Sequence, residues 1–150
     1  MSETRAVQLG LYRMRCRSCS HGFEAPLLSG LVYGERLIYT ARGTGFVYAD
    51  LIGDPVVAEV IGILRQIGIG DQDASILGRA LVAASDAPEG EALDPSLTGP
   101  ACPQCGLSAT EADLYPIGEV ILPVRVLTHG HWLSLGIQER GRLIRSAVDM

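Results

Sequence analysis

The sequence predicts an α+β fold: short antiparallel strands drawn together by two cysteine hooks, a helical hairpin inserted between the hooks, and a helix closing the chain. Three observations predict it. The four cysteines fall as Cys16-Arg-Ser-Cys19 and Cys102-Pro-Gln-Cys105. Segments flanking both hooks alternate apolar and polar residues with the period of two that a half-buried strand shows. Between the hooks, and again near the C-terminus, the apolar residues recur at the spacing of an amphipathic helix.

Taken in order, Val7 to Cys16 reads as a strand, and Phe23 to Tyr33 is apolar with a turn at Ser29-Gly30. Leu37 to Thr40 and Phe46 to Leu51 form a strand pair around Arg42-Gly-Thr-Gly45. That turn lacks the third glycine, the lysine and the following helix of a phosphate loop. Asp54 and Pro55 then supply an N-cap and a first helical residue. Val56, Val57, Val60, Ile61, Leu64 and Ile67 mark the apolar stripe of this helix, which stops near Gly68. A second helix runs from Asp71 or Asp73 to Ser85, with Ile76, Leu77, Ala80, Leu81 and Ala84 inward, and the two make an αα-hairpin through Gly68-Ile-Gly70. The carboxylates of Asp71 and Asp73 are explained by capping and the helix dipole.

Residues 86–101 are acidic, rich in Pro and Gly and without period, so a mobile loop is expected there. Glu119 to Thr128 alternates with Val120, Leu122, Val124 and Val126 on one side. Pro123 cannot donate to a ladder, which makes this an edge strand or a bulged one. Ser134 to Val148 is the closing amphipathic helix. The whole chain, 1–150, is expected to be a single domain: 1–51 and 100–150 form a discontinuous metal-bound unit, 52–86 the helical insertion and 87–99 a flexible loop.

Two thiols separated by two residues can be presented to one ion by a single tight turn, and two such hooks complete a tetrahedron. Cys16, Cys19, Cys102 and Cys105 are therefore the candidate metal ligands. Gly106 suits the positive φ that follows such a turn, and Pro103 fixes φ within it. The hooks are 82 residues apart. Closure entropy grows with the logarithm of loop length, so two doublings beyond the compact pattern cost about 1.2 kcal/mol. Structural zinc supplies on the order of 10 to 16 kcal/mol, which decides the balance.

The run Tyr12-Arg-Met-Arg-Cys16-Arg-Ser-Cys19-Ser-His21-Gly-Phe23-Glu24 resembles the first knuckle of a zinc ribbon of the FmdB-like regulatory type. Cys102-Pro-Gln-Cys105-Gly106 resembles the second, and is also similar to a rubredoxin knuckle. The resemblance implies a ribbon of short antiparallel strands with one structural zinc on the four cysteines. It covers only the knuckles and their flanks, about a third of the chain. Ser20 stands where a glycine is usual, and the long insertion departs from the pattern as well.

The chain has 47% hydrophobic residues and a net charge of −5, enough apolar content for a real core. Its basic residues are all arginine, which reads as the coding bias of a GC-rich bacterial genome. No apolar run is long enough to span a membrane, and Met-Ser-Glu-Thr-Arg is unlike a secretory signal. A cytoplasmic location is expected, where thiols stay reduced and available to metal. Residues 46–123 carry two Arg against twelve acidic residues, a block that repels nucleic acid. Arg13, Arg15 and Arg17 are the exception, read as a solvated strand and turn that favours the neighbouring thiolates.

His21 lies close to Cys19, but four thiols already fill a tetrahedron. His129 and His131, beside Trp132, are read as a strand-to-helix turn with one imidazole bonded to backbone and the indole in the core. There is no Gly-x-Ser-x-Gly, no His-Glu-x-x-His, and no glutamate at the deaminase offset from a histidine. The function expected is a non-catalytic zinc-binding protein whose metal is structural and which acts as an interaction or regulatory module on another protein. Alternatives are a rubredoxin-like iron electron carrier and a nucleic-acid-associated zinc ribbon, with thiol-disulfide exchange a weaker fourth.

Overall fold

The computed structural model describes residues 3–29, 34–42, 45–69, 73–97 and 99–149. Expectations placed on Gly30, Tyr33, Gly43, Gly70 and Asp71 lie outside these. The observed class is α+β, with antiparallel strands in two sheets and four helices.

The first strand, β1 (Thr4–Cys16), is the spine of the larger sheet. One edge of it pairs antiparallel with β2 (Gly22–Leu28), from Leu9 opposite Leu28 to Arg15 opposite Gly22. Its other edge takes two strands end to end. β6 (Gly118–Arg125) pairs from Thr4 to Leu11, and β5 (Thr110–Ala112) from Met14 to Cys16. The buried residues of β1 change face along its length: Val7 and Leu9 point into the core, whereas Met14 and Cys16 are buried on the opposite side, at the hook end.

A second sheet consists of β3 (Glu35–Tyr39) and β4 (Phe46–Asp50), the predicted pair on either side of the Arg42–Gly45 turn. It is buried on both faces, which is why these strands read as continuous apolar runs. Leu37, Tyr39 and Tyr48 meet Val7, Leu9 and Val124 of the larger sheet. Ile38, Val47 and Ala49 face the helices through Val57 and Leu81.

The helical layer starts with α1 (Pro55–Gln66), whose cap Asp54 accepts the Val56 N–H at 2.9 Å, and ends at Gly68, where φ is +85°. Its successor, α2 (Ala74–Ala83), is capped by Asp73, which accepts from the Ser75 and Ile76 N–H groups. A short helix, α3 (Gly130–Ser134), forms where the sequence predicts a strand-to-helix turn, and the predicted closing helix, Ser134 to Val148, is α4 (Ile137–Val148). Val60, Leu64, Ala80, Trp132 and Ile144 form one cluster, so helices from both sides of the second hook share a core. The Trp132 indole N–H donates to Glu59 at 2.6 Å, and Arg140 reaches the same carboxylate with both oxygens in range.

The segment expected to be a flexible loop has fixed partners. Leu93 is buried in the core beside Ile38 and Val47. Ala41 N–H donates to Ala92 O and Asp94 N–H to Tyr39 O, so residues 92–94 run along the end of β3. A single leucine in an acidic, Pro-rich stretch carries no period, and its burial is invisible to a pattern argument.

Pro123 sits where an edge strand requires. Val126 N–H donates to Glu3 O, just before β1, and Leu127 N–H donates the other way, to Tyr48 O on β4. Alternation along the strand then directs the N–H groups of Val120, Leu122 and Val124 to β1. Position 123 faces outward, where a missing donor breaks no ladder bond.

Candidate metal centre

Cys16 ends β1, and Cys19 lies in the turn that leads to β2. Cys102 and Cys105 occupy the turn that leads to β5. The two hooks are built alike. Cys16 N–H donates to His21 O and Ser20 N–H to Cys16 O, at 3.0 and 2.9 Å. At corresponding offsets, Cys102 N–H donates to Leu107 O and Gly106 N–H to Cys102 O, both at 2.8 Å. Each turn closes through a left-handed residue, Gly106 at φ +77° and Ser20 at φ +64°. Arg17 N–H to Ala109 O, at 2.8 Å, ties one hook to the strand leaving the other.

This arrangement brings all four predicted residues together. Their sulfurs lie within 4.8 Å of one another, the one such ligand cluster among the described residues. The Cys16–Cys105 and Cys19–Cys102 separations are 3.5 and 3.6 Å. These two pairs share no atom, so they are opposite edges of a tetrahedron. A tetrahedral ion with sulfur at 2.3 Å has edges of about 3.8 Å. A disulfide would need about 2.05 Å. The four residues fit a tetrahedral metal ion and do not fit two bridges.

The electrostatics support the same view. The Cys19 backbone N–H, opposed by burial and helped by the Ser18 N–H, lowers the Cys16 thiol to about 6. At Cys102 burial raises the thiol, but the N–H groups of Cys105 and Gln104 outweigh it and the net direction is down. Cys19 receives one N–H, from His21, which burial and the facing Cys102 sulfur overcome, raising it to about 12. Cys105 likewise receives the Leu107 N–H and is still raised, with the Cys16 sulfur against it. In each close pair one thiol readily ionises and its neighbour holds its proton. A cation at the centre reverses that, because ligation requires thiolates and releases protons.

The other candidates are not brought to the site. His21 stacks on the Phe23 ring with centroids 6.2 Å apart. His129 is buried at the start of α3, with Nδ1 2.8 Å from Ala84 O and Nε2 2.6 Å from Asp54. The backbone N–H of His131 donates to Asp86, which also accepts from Thr128 and Gly130 and so caps α3. Arg13 stands opposite Glu24 across the β1–β2 ladder and Arg15 opposite Glu111 across β1–β5. Arg17 reaches Glu111 at 3.3 Å. The arginine cluster is thus answered by carboxylates at its own surface.

Sequence reasoning missed the Asp54–His129–Ala84 brace. Asp54 was legible as a helix cap, but nothing in the spacing joins it to a histidine 75 positions on. The pair borders a cleft of about 620 Å³ between β4, the start of α1 and α3. Both imidazole nitrogens already face acceptors, so the ring offers neither to a molecule in that cleft.

No family model, no curated protein and no solved structure matches this chain. Among the described residues, no helix is long and apolar enough to cross a membrane.

Proposed function

We propose that Cys16, Cys19, Cys102 and Cys105 hold one Zn²⁺ as a closed structural site, and that the protein is a non-catalytic module acting through contact with protein. The observation that carries this reading is the equivalence of the two hooks, each with the same backbone bonds, closing sulfurs at 3.5 and 3.6 Å on opposite edges. Four thiolates leave no position for a water or substrate, which separates such a site from a catalytic zinc. The engaged nitrogens of His129 support the absence of acid–base chemistry at the other titratable cleft. A resemblance to FmdB-like ribbons, confined to the knuckles, agrees with a regulatory role.

Native mass measurement before and after acid tests the metal directly. One zinc per chain is expected, and a chain that is metal-free when purified from zinc-replete cells refutes the site. Iron is the second reading, favoured by one observation: Cys105 is exposed and Cys19 partly so, which gives an electron a short way out. Visible absorption by ferric thiolate would move the assignment to an electron carrier. Steeply salt-dependent binding to nucleic acid would move it to the ribbon class that the paired arginines speak against.

A further inference from the structure

Exposed apolar side chains are unevenly spread over this molecule. Val120, Ile121 and Leu122 of β6 are 46, 66 and 44% exposed, and Leu114 and Tyr115 in the preceding connection are 82 and 76% exposed. Three consecutive apolar residues on an outer strand offer apolar surface on both faces of the sheet. A long apolar edge strand left in water is a site for another strand.

The backbone identifies what covers it. β4 lies against the C-terminal end of β6, where Tyr48 packs on Val124 and bridges to Val126 and the Leu127 N–H bonds to Tyr48 O. Between those residues and Ile117, whose N–H donates to Leu11 O at 2.7 Å, the outward positions are Glu119, Ile121, Pro123 and Arg125, the last of them beside the β4 bridge. Among the described residues no strand pairs with this edge. Outward N–H groups therefore remain at Glu119 and Ile121, with a proline closing the row. Such a row is matched by an extended chain rather than by a helix or a small molecule.

We propose that this edge pairs antiparallel with β6 of a second copy of the chain, Glu119 opposite Ile121 of the second copy, making one continuous sheet across a two-fold axis. Three features favour a self-pair. In this register the outward N–H groups of Glu119 and Ile121 each find a carbonyl, and the ladder ends on one side at Pro123 and on the other at the occupied N–H of Ile117. Leu122 then faces Gly118 of the second copy, where an added Cβ would meet nothing within 4 Å, so the large side chain fills an open position. The one charge in the ladder, Glu119, is already held by Gln8 Nε2 at 3.3 Å and faces an isoleucine rather than its own copy. Shifting the centre to Ile121 would place the Pro123 ring against the Glu119 carbonyl. A two-fold pair of this kind is self-complementary and closed.

The inference deepens the interaction-module reading, and the experiment separates the two. Zinc-loaded full-length protein is followed by sedimentation from about 1 to about 500 μM, the range in which an exposed edge of this size associates. A reversible dimer is expected. In it, amide exchange at Glu119 and Ile121 slows with rising concentration, while Val120 and Leu122, bonded to β1, are slow throughout. Ile121→Pro removes only an outward donor and should weaken the dimer about tenfold or more. Gly118→Val fills the position that receives Leu122, where a Cβ meets nothing in the monomer, and should do the same, so it serves if the proline variant fails to fold. A protein that binds zinc yet stays monomeric at the highest concentration overturns the self-pair and leaves the metal reading standing. A dimer in which Glu119 and Ile121 exchange fast, or one that both variants leave intact, overturns it as well.

Discussion

Gly78, in the middle of α2, makes the packing of the 92–97 segment measurable. An alanine there would gain about 1 kcal/mol of helix propensity, since glycine is that much worse in a helix interior. Steric crowding opposes that gain and outweighs it. A Cβ built on Gly78 falls inside the van der Waals radius of the Pro95 carbonyl oxygen, a backbone atom that cannot rotate away, and also crowds Leu97. Forcing a methyl into such a contact costs about 1 to 3 kcal/mol and more where backbone must shift. The net expectation for Gly78→Ala is a loss of about 1 to 2 kcal/mol, or about 5 °C in the melting temperature of a chain this size.

Two controls make the sign decisive. Gly62 in α1 and Gly141 in α4 are also helix-interior glycines, and a Cβ at either meets nothing within 4 Å. Alanine at each should raise the melt by about 3 °C. Thermal unfolding of the three variants by circular dichroism gives the answer in one series. If the acidic, Pro-rich segment swung free of α2 in solution, Gly78→Ala would stabilise like the other two. That outcome would refute the placement of residues 92–97 against the helices.

The hooks make a second pair of predictions. Gly106→Ala should cost about 1 kcal/mol in urea unfolding of the zinc-loaded protein, because an open site leaves only the penalty of a left-handed alanine. Ser20→Gly should gain about 0.5 kcal/mol by relieving the same penalty at the other hook, less the entropy of a freer unfolded chain. Asp86 gives the pH dependence: burial raises its carboxyl, but the Thr128 hydroxyl and the N–H groups of Gly130 and His131 outweigh it, so the folded value is lowered. Its stabilisation is then fully present above the ordinary carboxylate value near 3.9 and is lost as pH falls through the lowered one, a slope that Asp86→Asn should flatten in acid melts. Cys102→Ser should abolish stoichiometric zinc and unfold β5 while the far-ultraviolet helical signal largely survives; an unchanged melt would refute a structural metal.

Much of this architecture was legible because local chemistry and tertiary packing agree. Asp54-Pro55 and Asp73 announce the helix starts they cap, and Gly68 the end it makes. Pro123 announces an outer strand. The four-cysteine cluster was legible because two-residue spacing suits metal geometry, independent of the 82 residues between the hooks. What could not be read depends on distance in sequence. Leu93 is one apolar residue without a period, and its burial is decided by β3 and α2. The position of β3 and β4 as a layer buried on both faces follows from where α1 and α2 close on one face and the larger sheet on the other, which the spacing of neither segment encodes. The switch of buried face along β1, from Leu9 to Met14, breaks the strict alternation that strand reading relies on.

That switch divides the molecule into parts with different sources of stability. From Leu9 to Cys16 the strand covers about 23 Å, so the cysteine cluster stands at the opposite end of β1 from the Val7–Leu9 core contacts. β5 is three residues long, mostly exposed, and pairs only with the last residues of β1, too little to persist by pairing alone. β6 has its own eight-residue register with β1 and buries Val124. The connection between them is therefore held at its near end beside the cysteine hooks and at its far end through the sheet, with Asp113 N–H on Arg13 O and Ile117 N–H on Leu11 O. It carries Leu114 and Tyr115, which flank the free edge. Removing zinc would loosen that apolar flank without opening the core, so self-association that depends on zinc would not mean that the ion joins two copies. On the proposed site, four thiols of one chain would complete the tetrahedron, and a second copy would have no ligand to add.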